Sequence, residues 1–173
     1  MKRLFFGLAA ALSVASPVHS ASFEDHVKLS EAVGSTGTTF LINPDKCDGS
    51  GAYGWYWVRD GQYRELVVCQ VNKVKGSTAQ MEWTREDLDT LRHEAHHLVQ
   101  DCMSGSRNGI LAKVYRSPIK LAFQVLSPER VKRIVEVYAD STDHIVMMEI
   151  EAFTVAAMND PIEQISDIKT YCF

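Results

Sequence analysis

The stretch TREDLDTLRHEAHHLVQDC, residues 84–102, combines the spacing of an amphipathic helix with the pattern H-E-x-x-H. Apolar side chains recur at offsets of three and four, which is the stripe that a helix buries; they are Leu88, Leu91, Ala95, Leu98 and Val99. Thr84, with Asp87 three residues later, predicts a capping box at the start. Gly105 predicts the end. We therefore expect one helix with the histidines near its middle.

The five residues His93-Glu94-Ala95-His96-His97 predict a zinc site with its own general base,. Positions four apart lie on one face of a helix, so His93 and His97 can bind the same cation. Glu94 then lies beside the open coordination position and is the expected catalytic residue. His96 falls outside the His93/His97 face, and we expect it on the helix surface or behind the ligands.

A catalytic zinc needs a third protein ligand, and two carboxylates in the apolar stretch 143–158 are the candidates,. Acidic side chains are rare in such surroundings unless they have a partner. Glu149 shares its helix face with the small residues Ala152 and Ala156, which would let this helix approach the histidine helix closely, so Glu149 is favoured. Glu151 is the alternative ligand; otherwise it supports the ligands from behind or lies at the surface.

His93-Glu94-x-x-His97 followed by Glu149-x-x-Ala152 resembles the gluzincin group of zinc metallopeptidases. The segment Glu149-Ile150-Glu151-Ala152 is similar to the glutamate helix of membrane-associated and phage-repressor-cleaving gluzincins. With Gln100 added, the first motif also looks like small bacterial and phage zincin-like proteins. By this resemblance, which covers two helices, the zinc ligands are His93, His97 and Glu149, and Glu94 is the catalytic acid/base.

One position departs from the gluzincin pattern. The residue after Ala152 is usually a polar one, often Asp or Asn, and here it is Phe153. The support of the histidines must then come from elsewhere, and Gln100, Asp101 and Asp143 are the candidates.

The resemblance implies hydrolysis of peptide (amide) bonds by a zinc-activated water, with a peptide or protein as substrate. Tyr115, Tyr138 and His144 could each donate a hydrogen bond to the transition state, and their spacing singles out none of them,. In zincin-like folds the sheet edge beside the active helix can bind an extended peptide by strand addition. Residues 63–71 are the candidate for that edge, although they could equally form an internal strand.

Two other functions stay open. The same metal centre could serve a peptidoglycan cross-link amidase or endopeptidase. From a different class, the chain could be a catalytically inactive zincin-like binding protein, although the intact Glu94 argues against it.

Residues 1–21 have the composition of a secretory signal peptide: Lys2 and Arg3, an apolar run, and small residues at Ser20 and Ala21,. We expect a secreted or periplasmic protein whose residues 22–173 form a single zincin-like metallopeptidase domain and act as a monomer. Loss of Lys2 and Arg3 changes the formal net charge from −4 to −6, which disfavours a nucleic-acid partner,. No later apolar run is long enough for membrane insertion.

Four cysteines in an exported chain predict two disulfide bonds,. Of the three pairings, Cys47 with Cys69 and Cys102 with Cys172 are preferred, because the first pair flanks a hairpin and the second joins the tail to the histidine helix.

The predicted fold class is α+β and zincin-like, with a small antiparallel sheet followed by a mostly helical part. Helices are expected over 22–33, 127–138 and from Ser141 or Thr142 to about Met158, with Pro161 ending the last,. Strands are expected over 38–42, 55–58 and 63–71, the last two as a hairpin. His26 should be exposed on its helix. The aromatic group Tyr53, Trp55, Tyr56 and Trp57 is expected to pack in the sheet rather than line a substrate groove.

Overall fold

The computed structural model of the protein describes residues 22–59, 63–105 and 108–173, and it has an α+β architecture. The predicted signal peptide lies outside the described residues. The helices are α1 (Phe23–Ser35), α2 (Arg85–Met103), α3 (Pro118–Val125), α4 (Pro128–Val137), α5 (Asp143–Met158) and α6 (Pro161–Tyr171). The strands are β1 (Thr39–Ile42), β2 (Gly54–Arg59) and β3 (Tyr63–Val68).

The helix starts follow the predicted caps. The Thr84 side chain accepts from the Asp87 backbone N–H at 3.2 Å, and the Asp87 carboxylate accepts from the Thr84 N–H at 2.8 Å, which completes the capping box of α2. Thr142 caps α5. Pro161, expected only to end α5, also opens α6, because the first helical position does not need the N–H that proline lacks,.

The sheet is mixed, so the prediction of an antiparallel sheet is wrong for one strand. Its order is β1-β3-β2, with β2 antiparallel and β1 parallel to β3. The last residue of β1, Ile42, and the first residue of β2, Gly54, both pair with Val68, so the connection through residues 43–53 crosses one end of the sheet. It leaves a place between the two strands, and β3 returns through that place in the same direction as β1.

The hairpin prediction is confirmed, but the prediction that its second strand forms the sheet edge is wrong. β3 is the central strand, and Leu66, Val67 and Val68 are completely buried on it. β2 is an edge strand, and it lies against α2.

α2 is the central helix of the domain. It packs on the sheet, α1, α5 and α6, and every residue from His93 to Cys102 is buried. α5 packs on α2, and its other neighbours are α3 and α4, which form a second apolar cluster with it around Ile150 and Phe153. The two helices that carry the predicted site residues are therefore in direct contact.

His26 is buried on α1, so its predicted exposure is wrong. Its side chain is 3% exposed, and its Nδ1 lies 2.9 Å from the Ser22 carbonyl oxygen. The packing of α1 against α2 and α6 covers the ring.

Both preferred disulfide bonds are present. Cys47–Cys69 joins the loop after β1 to the end of β3, and Cys102–Cys172 joins the last turn of α2 to the residue after α6. Each closes a loop and so reduces the conformational entropy of the unfolded chain. The second disulfide anchors the C-terminus to the histidine helix.

The aromatic residues of β2 divide between the two faces of the sheet. Tyr56 is buried and points toward α2, where its hydroxyl donates to Asp101 at 2.8 Å. Trp55 and Trp57 are half-buried on the opposite face, with the Lys46 ammonium 5.7 Å from each ring centroid. The expectation that the aromatic residues pack in the sheet is met most fully by Tyr56, because Trp55 and Trp57 are only half-buried.

Gly54 lets β2 approach α2 closely. A Cβ atom at this position would lie 2.6 Å from Thr90 Cγ2, 2.6 Å from the Val67 carbonyl oxygen and 3.2 Å from Glu94 Cγ. The Val67 oxygen belongs to the sheet backbone and cannot move away cheaply. The contact between sheet edge and histidine helix therefore requires glycine.

We expect Gly54→Ala to lower the free energy of unfolding by about 1–3 kcal/mol, because the added methyl group overpacks this contact. Gly34→Ala is the matched control, since a Cβ there meets nothing within 4 Å and α1 gains helix propensity,. Urea unfolding measures both. Equal stability of Gly54→Ala and the parent would contradict the close approach.

Candidate metal centre

Three side chains with potential ligand atoms converge between α2 and α5. His93 Nε2 and His97 Nε2 lie 3.1 Å apart, as expected for positions one helical turn apart. Glu149 on α5 places Oε2 3.3 Å from His93 Nε2 and Oε1 3.5 Å from His97 Nε2. The structure therefore brings together the three residues that the sequence predicts as ligands.

These separations match those around a tetrahedral metal ion. Ligand atoms bound at about 2.0–2.1 Å in tetrahedral geometry lie about 3.3–3.4 Å from one another. The three observed distances, from 3.1 to 3.5 Å, bracket that value. Among the described residues, Glu149 Oε2 is a buried atom without a hydrogen-bond partner, as an oxygen facing a cation would be. The residues thus fit a single divalent ion.

Glu94 lies beside the two histidines. Ligand atoms of His93, Glu94 and His97 all lie within 4.8 Å of one another, so this group could also hold a metal ion. The separations of Glu149 from the histidines are shorter and suit direct ligation better. A Glu94 oxygen accepts a hydrogen bond from the backbone N–H of Tyr56 on β2. Glu94 is thus held between the histidine helix and the sheet edge.

The charges of the centre are coupled. Burial lowers the pKa of His93 to about 4. Burial also opposes the charge on His97, but the Glu149 carboxylate outweighs it and raises the pKa of His97 to about 9. Burial disfavours a charged Glu149 as well, but the His97 charge and the close contacts with both histidines hold its pKa well below its usual range. Without metal, the centre is a buried His97–Glu149 ion pair beside a neutral His93.

Gln100 supports His97. His97 Nδ1 lies 2.8 Å from Gln100 Oε1, and Gln100 Nε2 donates to the Met148 carbonyl oxygen at 3.0 Å. Because the amide oxygen can only accept, Nδ1 is the donor in this bond, which leaves Nε2 to bind a metal ion once it has lost its own proton. Gln100 therefore fixes the ring in the orientation that metal binding needs and ties α2 to α5.

The other two candidates for this support do not contact the histidines. Asp101 instead accepts from the Tyr56 hydroxyl and from the Gly109 N–H, both at 2.8 Å, and Asp143 is exposed. His93 packs against Phe153 with ring centroids 4.2 Å apart, and its Nδ1 has no partner among the described residues. Phe153 stands where the gluzincin pattern usually has a polar residue, and it supports His93 by ring packing instead of by a hydrogen bond.

His96 and Glu151 form a second buried pair, so the surface positions considered for them are wrong. His96 Nε2 lies 3.0 Å from Glu151 Oε1, which also accepts from the Val114 N–H at 2.8 Å. Their side chains are 1% and 0% exposed. Glu149 and Glu151, two residues apart, point to different sides of α5, and each meets a histidine of α2. The sequence contained a signal for this pair, because Glu151 is a second acidic residue in the middle of an apolar helix.

Of the three expected donors, Tyr138 lies at the centre. It is the residue that follows α4, it is buried, and burial together with the charges of Glu149 and Glu94 raises the pKa of its hydroxyl. Tyr115 lies near Glu151, where burial raises its pKa, and the His144 ring is bonded to the Leu111 carbonyl oxygen at 2.9 Å. Spacing alone could not single out Tyr138, because α4 brings it in from another part of the chain.

Comparisons with protein-family models, with curated proteins and with solved structures found no match to this chain. Within the described residues, no helix has the length and apolarity needed to cross a membrane.

We expect Gln100→Ala to weaken zinc binding by about 10- to 100-fold, because the His97 ring loses its orienting bond. Gln164→Ala is the control: Gln164 is equally buried and donates to the Arg92 carbonyl oxygen at 2.9 Å, but it has no role at the centre. Zinc affinity measured by competition with a chromophoric chelator checks both. Equal weakening in the two variants would argue against a specific role for Gln100.

We expect Glu94→Gln to stabilise the metal-free protein at high pH. Burial raises the pKa of Glu94 from 4.5 to about 8. Between these values the folded state keeps the proton and the unfolded state releases it, so stability falls as the pH rises from 4.5 to 8. Glutamine does not ionise, so the Glu94→Gln variant avoids this loss of stability, which is on the order of a few kcal/mol.

Urea unfolding of both proteins with a chelator present, at pH 4.5 and pH 8.5, measures this difference. The two should be similar in stability at the lower pH and diverge at the higher. A constant difference at both pH values would show that Glu94 does not titrate in this way.

Proposed function

We propose that the protein is a zinc-dependent metallopeptidase of the gluzincin type. The observation that carries this proposal is the convergence of His93, His97 and the Glu149 carboxylate at separations close to those of a tetrahedral site, with Glu94 beside them. The order of elements, with a sheet before the histidine helix and a glutamate helix after it, agrees with a zincin-like fold.

The donor set favours zinc over other divalent ions. Two imidazoles and one carboxylate are a ligand combination of catalytic zinc sites, which leave a position open for water. Magnesium and calcium prefer oxygen ligands in larger numbers. When bound, the metal would supply a water of lowered pKa and polarise the carbonyl group of the substrate.

The side chains around that position have the properties that amide hydrolysis requires. Glu94 would take the proton of the attacking water and transfer it to the departing amine. Its surroundings raise its pKa, which favours holding the proton between these two events,. Tyr138 keeps its proton and would donate a hydrogen bond to the oxyanion that forms at the carbonyl,.

Edge strand β2 would align the substrate. The Cys69 N–H donates to the Tyr53 carbonyl oxygen at 2.8 Å, and the antiparallel register continues from this pair. Alternate residues of β2, namely Gly54, Tyr56 and Val58, therefore direct their backbone groups away from β3. An extended peptide could pair with Gly54 and Val58 on this side, since within the described ranges no strand occupies it, while the Tyr56 N–H stays bonded to Glu94,.

Export from the cytoplasm is part of the proposal. Two disulfide bonds persist best in an oxidising compartment, which supports a secreted or periplasmic location,. A catalytically inactive binding protein is less favoured, because a buried Glu94 without a catalytic role would only destabilise the fold,.

Metal analysis and turnover of three isosteric variants test the proposal. We expect one zinc per parent chain and cleavage of a denatured protein substrate. Glu94→Gln should retain zinc and lose activity by at least about 100-fold. Glu149→Gln should weaken zinc binding by more than about 100-fold. Glu151→Gln is its matched control, because it removes an equally buried carboxylate of the same helix, and it should retain zinc.

Three outcomes would contradict this proposal. Equal zinc retention by the Glu149 and Glu151 variants would remove Glu149 as a ligand. A zinc-loaded parent that cleaves nothing, or a Glu94→Gln variant with full activity, would refute the peptidase mechanism.

A further inference from the structure

A cavity of about 230 Å³ lies directly beside the candidate metal centre. His97 forms part of its wall, and the strand β2, the segment 108–111 and the start of α5 enclose the rest. Its lining residues are Tyr56, Trp57, Val58, His97, Asn108, Gly109, Ile110, Leu111, His144 and Ile145. A molecule whose reactive bond is at the metal could therefore place an adjacent group in this cavity.

The wall of the cavity is uncharged apart from its histidines. Val58, Ile110, Leu111 and Ile145 present aliphatic side chains, and no Asp, Glu, Lys or Arg is among the lining residues. The His144 ring already bonds the Leu111 carbonyl oxygen at 2.9 Å. A charged group would lose its hydration here without gaining a partner, whereas an apolar group would gain from burial.

The strand beside the cavity fixes how a peptide would enter it. Val58 has its backbone groups on the free side of β2, and its side chain lines the cavity. A peptide paired with this side places successive side chains on alternating faces, so one side chain in two points toward the α2 side, where the cavity lies. Gly109 lies against Val58, where a Cβ would come 3.3 Å from Val58 Cβ, and it limits the depth available.

We propose that this cavity is a specificity pocket that selects peptides with a bulky apolar side chain next to the bond at the metal. The inference rests on the proposed peptidase function and narrows its substrate class. A protein segment with Phe or Leu at that position would fill the pocket. Cell-wall stem peptides, which are built from small and charged residues, would leave it empty or place a charge in it. The peptidoglycan alternative is therefore disfavoured.

Binding of short peptides to the zinc-loaded Glu94→Gln protein tests the pocket without turnover. The probes are acetyl-Ala-Ala-Xaa-Ala-Ala-amide peptides with Phe, Leu, Ala or Asp at Xaa, titrated by calorimetry. We expect the Phe and Leu peptides to bind at least about tenfold more tightly than the Ala peptide, and the Asp peptide to bind most weakly. Equal affinities, or no binding of any probe, would overturn the inference.

Substitutions in the wall locate the effect. Ile110→Asp introduces a charge at a side chain that is 63% exposed, so the fold should tolerate it, and the preference for Phe over Ala should fall at least fivefold. Val58→Phe should fill the cavity and shift the preference toward Ala. Val74→Asp is the matched control: it is 58% exposed, lies outside the lining, and should keep the parent preference.

The readout separates this inference from the proposed function. Absence of cleavage by a zinc-loaded parent would refute the peptidase while leaving the binding preference of the zinc-loaded Glu94→Gln protein measurable. A selective preference that Ile110→Asp leaves unchanged would place the apolar site elsewhere and refute the pocket.

Discussion

The close contact of α2 with α5 is the constraint on which the rest of the structure depends. It buries two carboxylates of α5 against three histidines of α2, and each of these five side chains is at most 5% exposed. Buried charges are costly unless they are paired, so neither helix could bury these faces without the other. The completely buried Ala152, a small residue next to Glu151 on α5, lets the helices come close enough for the pairs to form,. Two disulfide bonds and the sheet then fix α2 from its other sides.

The contact of α2 with α5 also explains why the side chains of the centre are held in place and why burying them lowers the stability of the fold. The His97–Glu149 and His96–Glu151 pairs satisfy most of the buried groups, and Gln100 adds a bond across the helices. Burial raises the pKa of Glu94 to about 8, because the nearby charge of His97 offsets only part of the cost of burying the carboxylate. A side chain that destabilises the fold at neutral pH and lies beside three converging ligand atoms is typical of a functional site rather than of a structural one.

Much of the fold could be predicted from local patterns. The caps at Thr84 and Thr142 and the hairpin follow from short-range chemistry, because each depends on few neighbouring residues. The number of disulfide bonds follows from the count of cysteines. The pairing direction of β1 and the central position of β3 could not be predicted, since a four-residue strand carries no signal for its partner. The burial of His26 and His96 depends on helices that are distant in sequence.

Only part of the candidate site could be predicted, because local patterns identify residues within one element but not contacts between elements. His93, Glu94 and His97 follow from helical periodicity, and Glu149 follows from the apolar helix around it. The contributions of Tyr138, of the Tyr56 N–H and of Phe153 required the tertiary structure, because each comes from a different element. The cavity beside His97 depends on four separate segments and has no signature in any one of them.

X-ray absorption at the zinc edge of the purified protein tests the central claim most directly. Two imidazole nitrogens and one carboxylate oxygen, with a fourth light atom, should surround the ion at about 2.0–2.1 Å without any sulfur. A spectrum that lacks imidazole scattering, or a six-coordinate ion with only oxygen ligands, would contradict a metal centre formed by His93, His97 and Glu149.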